Sequence, residues 1–176
     1  ASNARRLSVP GPFLTRDLPG TGGVVRVEPE DFRVEEVPAY EPCGMGTHAY
    51  FLVTKLGVPT PVAVDRIARH MGVPRGQIGF AGLKDSRAVT TQWMSLEHAD
   101  VARLEAFSDS QVRISQISRH GNKLRTGHLR GNAFAIRIRD VQEAALAAAK
   151  AVLDVLVRRG VPNYFGPQRF GARGDT

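Results

Sequence analysis

Period-two alternation recurs along this chain more often than helical spacing does, and that imbalance restricts its fold most. The strongest case is residues 48–56, rich in aromatic and β-branched side chains, with Ala49, Phe51 and Val53 on one side and Tyr50 and Leu52 on the other. Such a run reads as a strand half buried on both faces. Further strands are expected over residues 24–27, 31–37, 78–83, 89–96, 111–117 and 133–138. Phe32, Val34 and Glu36 share one face of the second of these; in the last, Phe134, Ile136 and Ile138 face away from Arg137 and Arg139. Helical spacing is confined to three stretches. Thr60 and Pro61 read as an N-cap and first-turn proline ahead of Ala63, Val64, Ile67, Ala68 and Met71, with Gly72 as the stop. Asp100 caps a short helix through Phe107, and an Ala-rich helix runs from about residue 141 to Arg159, before Gly160 and Pro162. Strands outnumber helices and alternate with them irregularly, so the class is α+β, a mixed or antiparallel sheet covered by helices on one face.

At 176 residues the chain has the length of about one domain. Ala1-Ser2-Asn3-Ala4 reads as an expression scar, and residues 1–10 are set aside from the fold as a leader. A lone Cys43 cannot form an internal disulfide, which makes the cytoplasm the default compartment. No apolar run approaches the ~20 residues that span a bilayer, so no membrane partner is expected. The histidines at 48, 70, 98, 120 and 128 cluster neither with one another nor with Cys43, and no metal site is expected. There is no P-loop, no Gly-x-Gly-x-x-Gly turn, no His-Glu-x-x-His pair and no Gly-x-Ser-x-Gly elbow.

The net charge of +7 is concentrated in one segment. Between Asp109 and Asp140 there is no acidic residue, while Arg113, Arg119, Lys123, Arg125, Arg130, Arg137 and Arg139 supply seven cations; the remaining bases balance the acids. Such a segment meets polyanions or forms a solvated basic face. Interleaved Gly121, Asn122, Gly127, Gly131 and Asn132 read as a flexible basic loop joining two strands, with Arg119, Lys123, Arg125 and Arg130 as candidate phosphate contacts.

Chemistry concentrates in residues 79–92. A strand of small residues, with Gly79 and Gly82, delivers Asp85 at its end, between Lys84 and Arg87. Neighbouring cations favour the charged carboxylate that a nucleophile or general base requires. The same residues also suit a tight turn in which Asp85 accepts backbone N–H bonds. Adjacent strand residues point to opposite faces, so Lys84 need not be the partner of Asp85.

Ala81-Gly82-Leu83-Lys84-Asp85 with Ala88-Val89-Thr90 and Gln92, then Gly131-Asn132-Ala133-Phe134, then Asn163-Tyr164-Phe165-Gly166-Pro167-Gln168-Arg169-Phe170-Gly171 closely resemble three signature blocks of the TruD family of tRNA pseudouridine synthases. Pro29-Glu30-Asp31-Phe32 and the stretch Arg119-His120 through Lys123-Leu124-Arg125 resemble family blocks too. The resemblance implies a pseudouridine synthase-like α+β fold and isomerisation of a uridine in tRNA, typically uridine-13, without metal or organic cofactor. It implies that Asp85 is the catalytic aspartate, that Phe134 is the ring receiving the base, and that Asn132 and Phe32 line or back the site. Arg26 falls where members often carry lysine, and Lys84 joins Arg119, Lys123, Arg125 and Arg130 as an RNA-facing cation. Gly82, Gln168 and Arg169 match motif-supporting positions.

The resemblance further implies that residues 11–176 are the N-terminal portion of a catalytic domain, lacking an inserted second domain and a return segment. On that expectation the full-length protein is a monomer, whereas the fragment is inactive alone and prone to self-association. The leading alternative is a non-catalytic RNA-binding module using residues 119–130. Methyltransferase and deaminase readings lack their glycine-rich turn and zinc signature.

Overall fold

A computed structural model describes residues 13–162, which divide between two compact units. One is Val24–Arg139; the other combines the residues before Val24 with those after Arg139. In chain order the elements are β1 (Gly22–Val25), β2 (Phe32–Pro38), β3 (His48–Leu56), α1 (Thr60–Met71), β4 (Gly79–Phe80), β5 (Val89–Glu97), α2 (Val101–Glu105), β6 (Val112–His120), β7 (Leu129–Ile136), β8 (Ile138–Val141) and α3 (Ala145–Arg159). Six strands form one mixed sheet in the order β6-β3-β5-β2-β7, with β4 added beside β5; β1 and β8 form a separate two-stranded ribbon. β3 lies antiparallel to both β5 and β6, β2 runs parallel to β5, and β7 is antiparallel to β2. The class is α+β, as the alternation predicts.

The core forms where two periodicities meet. Ala49, Phe51 and Val53 of β3, with Met94 and Leu96 of β5, receive the stripe Ala63, Val64, Ile67, Ala68 and Met71 of α1, and Leu104 of α2 seals one end. Each fully buried Ile, Leu or Phe in this layer contributes about 1.5–3 kcal/mol. On the opposite face Tyr50 packs with Ala81 and Leu124, so β3 is covered on both sides. α1 ends at Gly72, whose φ of 71° is the left-handed conformation glycine adopts without steric cost.

The apolar layer stops at β5. Farther out, the register pairs Phe32 with Ile136, Val34 with Phe134 and Glu36 with Asn132. Phe134 is 58% exposed and Ile136 48%. One half of the sheet face is therefore packed, and the other presents aromatic and polar side chains.

Several expected boundaries move for identifiable reasons. β1 ends at Val25 because Arg26 turns left-handed, with φ 60°. Pro59, not Thr60, is the N-cap of α1, and the Thr60 hydroxyl is used elsewhere. Only Gly79 and Phe80 of residues 78–83 are paired as a strand, since β2 occupies the same edge of β5 farther along. β7 begins at Leu129, so Arg130, Gly131 and Asn132 are strand residues instead of loop; it stops at Ile136, and the Arg137 N–H then donates to Asp31 O at 2.8 Å. In the second unit, α3 starts at Ala145, later than expected because Val141 belongs to β8. Among the described residues no helix is long and apolar enough to cross a membrane.

Candidate active site

Asp85 rides on a segment, residues 81–88, that is fastened by bonds from outside itself. Ala81 O accepts from the Gly127 N–H at 2.8 Å, and Ala88 O from the Gly57 N–H at 3.1 Å. Gly82 O accepts from Gln92 Nε2 at 2.9 Å, and the Lys84 N–H donates to Thr60 Oγ1 at 3.0 Å. Thr60 in turn donates to Gln92 Oε1 at 3.0 Å, and Lys55 Nζ donates to Asp85 O at 2.7 Å. This strap aims adjacent side chains in opposite directions. The Asp85 carboxylate is open to solvent. Lys84 instead turns inward, where its ammonium meets Glu36 Oε2 at 2.7 Å. The expectation that Lys84 faces RNA is thereby corrected: a buried carboxylate demands a paired cation, and Lys84 supplies it.

Three residues extend from Asp85 in a file. Arg26 Nη2 stands 3.6 Å from Asp85 Oδ1, with the two side chains 37% and 42% exposed. The Arg26 guanidinium carbon lies 3.8 Å from the centre of the Phe32 ring, a cation–π contact. Phe32 meets Phe134 edge to face, centroids 5.9 Å apart. Asn132, two residues before Phe134 on the same face of β7, is exposed opposite Glu36. The left-handed Arg26 costs about 1 kcal/mol, the kind of backbone strain that gathers at functional sites.

The turn between Arg26 and Phe32 is held from below. Glu28 and Asp31 form a capping box around Pro29–Asp31. Arg139 Nε and Nη2 each donate to Asp31 at 2.8 Å, and Nη2 also reaches Glu28 Oε2 at 2.8 Å. The Arg139 hydrogen bonds hold the Asp31 carboxyl below the usual range, with help from the Glu28 N–H, against the opposing effect of burial. Arg139 thus counts toward the basic excess yet serves an internal carboxylate.

The basic segment is anchored, which corrects its reading as a flexible loop. Arg119 belongs to β6, opposite Ala49, and Arg130 to β7. Between them Leu124 is buried, its N–H donating to Ser95 Oγ at 2.9 Å, and Lys123 Nζ donates to Gly76 O at 2.6 Å. Tyr40 Oη lies 2.7 Å from His128 Nδ1, and Tyr50 Oη donates to Asn122 O at 3.0 Å. The approach to β4 is close: a Cβ on Gly79 would lie 2.3 Å from Leu124 O. Arg125 and Arg130 remain exposed. A cleft of about 380 Å³ lined by His48, Gln77, Glu97, His98 and Lys123 does not include Asp85. Among the described residues no group of three or more His, Cys, Asp or Glu could hold a metal ion.

Sequence reasoning missed Lys55, Thr60, Glu36 and Gln92 as supports of the site. A signal existed for three of them: alternation sets Lys55, Gln92 and Glu36 on faces otherwise given to apolar residues. Gln168 and Arg169 lie outside the described residues.

Residues 11–176 match the family model of tRNA pseudouridine synthase D (TruD). The tRNA pseudouridine synthase D of a Thermus thermophilus strain is 53% identical over 164 residues, covering 93% of this chain and 46% of that protein. That of an Anaeromyxobacter dehalogenans strain is 51% identical over 163 residues, 93% of this chain and 46% of its own. A crystal structure assigned to tRNA pseudouridine synthase D from Methanosarcina mazei superposes with a TM-score of 0.84 at 33% identity, covering 88% of this chain and 36% of that one. The chain belongs to the TruD family of tRNA pseudouridine synthases. It spans less than half the length of these curated relatives.

Proposed function

We propose that this chain is the part of a tRNA-modifying isomerase that carries the reacting carboxylate, and that it converts uridine to pseudouridine, with uridine-13 as the target. The observation carrying this reading is the file Asp85, Arg26, Phe32, Phe134 on the open half of the sheet. A base must leave its stack to be reached, at a cost of a few kcal/mol, and an exposed aromatic wall offsets that loss. Phe134, backed by Phe32, provides such a wall, with Asn132 beside it to hydrogen-bond the base edge. The Asp85 carboxylate attacks C1′ of the ribose or otherwise assists cleavage of the C1′–N1 bond. The freed base turns against the aromatic wall, C5 joins C1′, the C5 proton leaves and N1 takes one up, so the product is an isomer of the substrate. The strap fixes the backbone of Asp85 before the substrate arrives, which lowers the ordering cost of the reaction. The family resemblance implies that no metal or organic cofactor takes part. Arg125 and Arg130, with Arg119 and Lys123, meet tRNA phosphates.

The test is Asp85→Asn in the chain extended to the length of its relatives, assayed by carbodiimide detection of pseudouridine on a tRNA pool. Isomerisation is lost while melting temperature and tRNA affinity hold, because an amide is nearly isosteric but carries no anionic nucleophile. Retention of more than about a tenth of turnover, a barrier change under ~1.4 kcal/mol, overturns the assignment. Binding of tRNA by the extended wild type without any isomerisation would favour a non-catalytic RNA-binding module. The 176-residue chain alone is expected to be inactive beside the extended protein, and equal activity in the two would sink that part of the reading.

A further inference from the structure

Of the fastenings of the strap described above, Lys55 alone carries a charge, and its bonding sets it apart from the other buried cation. Lys55 follows Ala49, Phe51 and Val53 along the core face of β3 and is wholly buried. Lys84 has Glu36, but among the described residues Lys55 makes no salt bridge. Its protons go to backbone carbonyls: Val58 O and Asp85 O at 2.7 Å each, and Lys84 O at 3.5 Å. Two of these three acceptors belong to Asp85 and the residue before it. An apolar side chain would fill the same space without desolvating a charge, so packing does not explain a lysine here.

We propose that Lys55 is a positioning residue, whose ammonium clamps the Lys84–Asp85 backbone to β3 and thereby sets where the Asp85 carboxylate stands relative to Arg26. The inference rests on the reading of Asp85 as the reacting carboxylate. The other fastenings of the strap lie to either side of the clamp. Thr60 and Gln92 hold the strap at the Lys84 N–H and Gly82 O, upstream of the carboxylate, and Gly57 holds Ala88 O downstream. The charged groups facing Lys55 are Asp85, which favours the ammonium, and Lys84, which opposes it and is itself neutralised by Glu36; Arg26 reaches Asp85 from the far side. Burial outweighs the attraction of Asp85 and brings the Lys55 pKa down to about 8. The clamp therefore loses its charge at mildly alkaline pH, where the neutral amine is a weaker and less numerous donor.

The experiment compares wild type with Lys55→Met in the chain extended to its relatives' length. It reads kcat, tRNA Kd and amide hydrogen-exchange protection. The expected result is a loss of at least tenfold in kcat with Kd within twofold. Protection should fall at least tenfold at Lys84, the buried strap residue whose N–H is bonded, and hold at Ile67 and Met94. Unchanged protection at the strap, or a uniform loss across the core, overturns the proposal. Should Lys55→Met fail to fold, the wild type decides: kcat and strap protection must decline together with an apparent pKa near 8, and a flat profile from about pH 7 to 9.5 overturns it. An unloosened strap sinks this inference alone. A strap that loosens in a protein whose Asp85→Asn variant stays active sinks the catalytic reading, and this inference with it.

Discussion

Lys84 and Glu36 meet at 2.7 Å with side chains 3% and 1% exposed, beneath a carboxylate that is open to solvent. A buried pair of this kind is held by mutual need, because removing one partner strands the other's charge. Lys84→Met or Glu36→Leu alone should each cost about 3–5 kcal/mol in denaturant unfolding, whereas the double variant should recover most of that loss. A double variant whose loss equals the sum of the two singles would contradict a mutually dependent pair.

Arg26 is placed by its planar group, which faces Phe32 while one nitrogen reaches Asp85. An ammonium cannot lie flat on a ring and reach sideways in the same way. Loss of an exposed cation–π contact is worth about 0.5–1 kcal/mol, so Arg26→Lys should lower kcat roughly two- to fivefold and Arg26→Met further. Equal turnover in wild type and Arg26→Lys would show that charge alone suffices.

Phe134 offers a clean separation of core from site. Being mostly exposed, it should cost the fold less than about 1 kcal/mol on replacement by Ala. Turnover should fall far more than tRNA affinity, because on the proposed reading the flipped base meets this ring only inside the site. Parallel losses in melting temperature and turnover would return Phe134 to a structural role.

The basic segment should reveal itself in salt dependence. Arg125→Ala and Arg130→Ala should each flatten the slope of log affinity against log salt by about one unit. Lys84→Met, which removes an internal cation, should leave that slope unchanged even where it weakens the fold. A slope that ignores Arg125 and Arg130 would leave them as solvated surface charges.

Asp31 carries an acid-side prediction. Its folded pKa lies below the unfolded value, so its contribution is present above the unfolded pKa and is lost as pH falls through the folded one. Unfolding free energy should therefore drop below about pH 4, and Asp31→Asn should shrink that drop. Asp109, held low by the Gln111 N–H and by Arg66, contributes in the same window, so the Asp31 share is the difference between the wild-type and Asp31→Asn titrations.

Legibility from sequence followed how local the cause was. β3 was readable to the residue, because alternation of aromatic and β-branched side chains is a property of consecutive positions. The α1 stripe was readable for the same reason, though its cap was not: the Thr60 hydroxyl turns to Gln92, a residue distant in sequence. Asp85, Arg26, Phe32 and Phe134 came from motif resemblance, and their approach depends on β2 pairing with β5 in parallel and with β7 in antiparallel, which no local pattern encodes. Lys84 was misread because a lysine beside an aspartate carries no mark of the inward turn that takes it to Glu36. Basic residues 119–130 looked mobile from their glycines, yet the burial of Leu124 and the bonds from Gly127 and Lys123 pin them.

The hydrogen that serves Gly79 as a side chain has a genetic consequence. With a Cβ there only 2.3 Å from Leu124 O, the codon for residue 79 is closed to every other amino acid unless the backbone gives way. A missense change at that codon would pry the basic segment from the strand that leads into the Asp85 strap, while leaving every ionisable group in place. In a survey of inactivating variants, such an allele would score with lesions of the carboxylate itself, although no functional group had been lost.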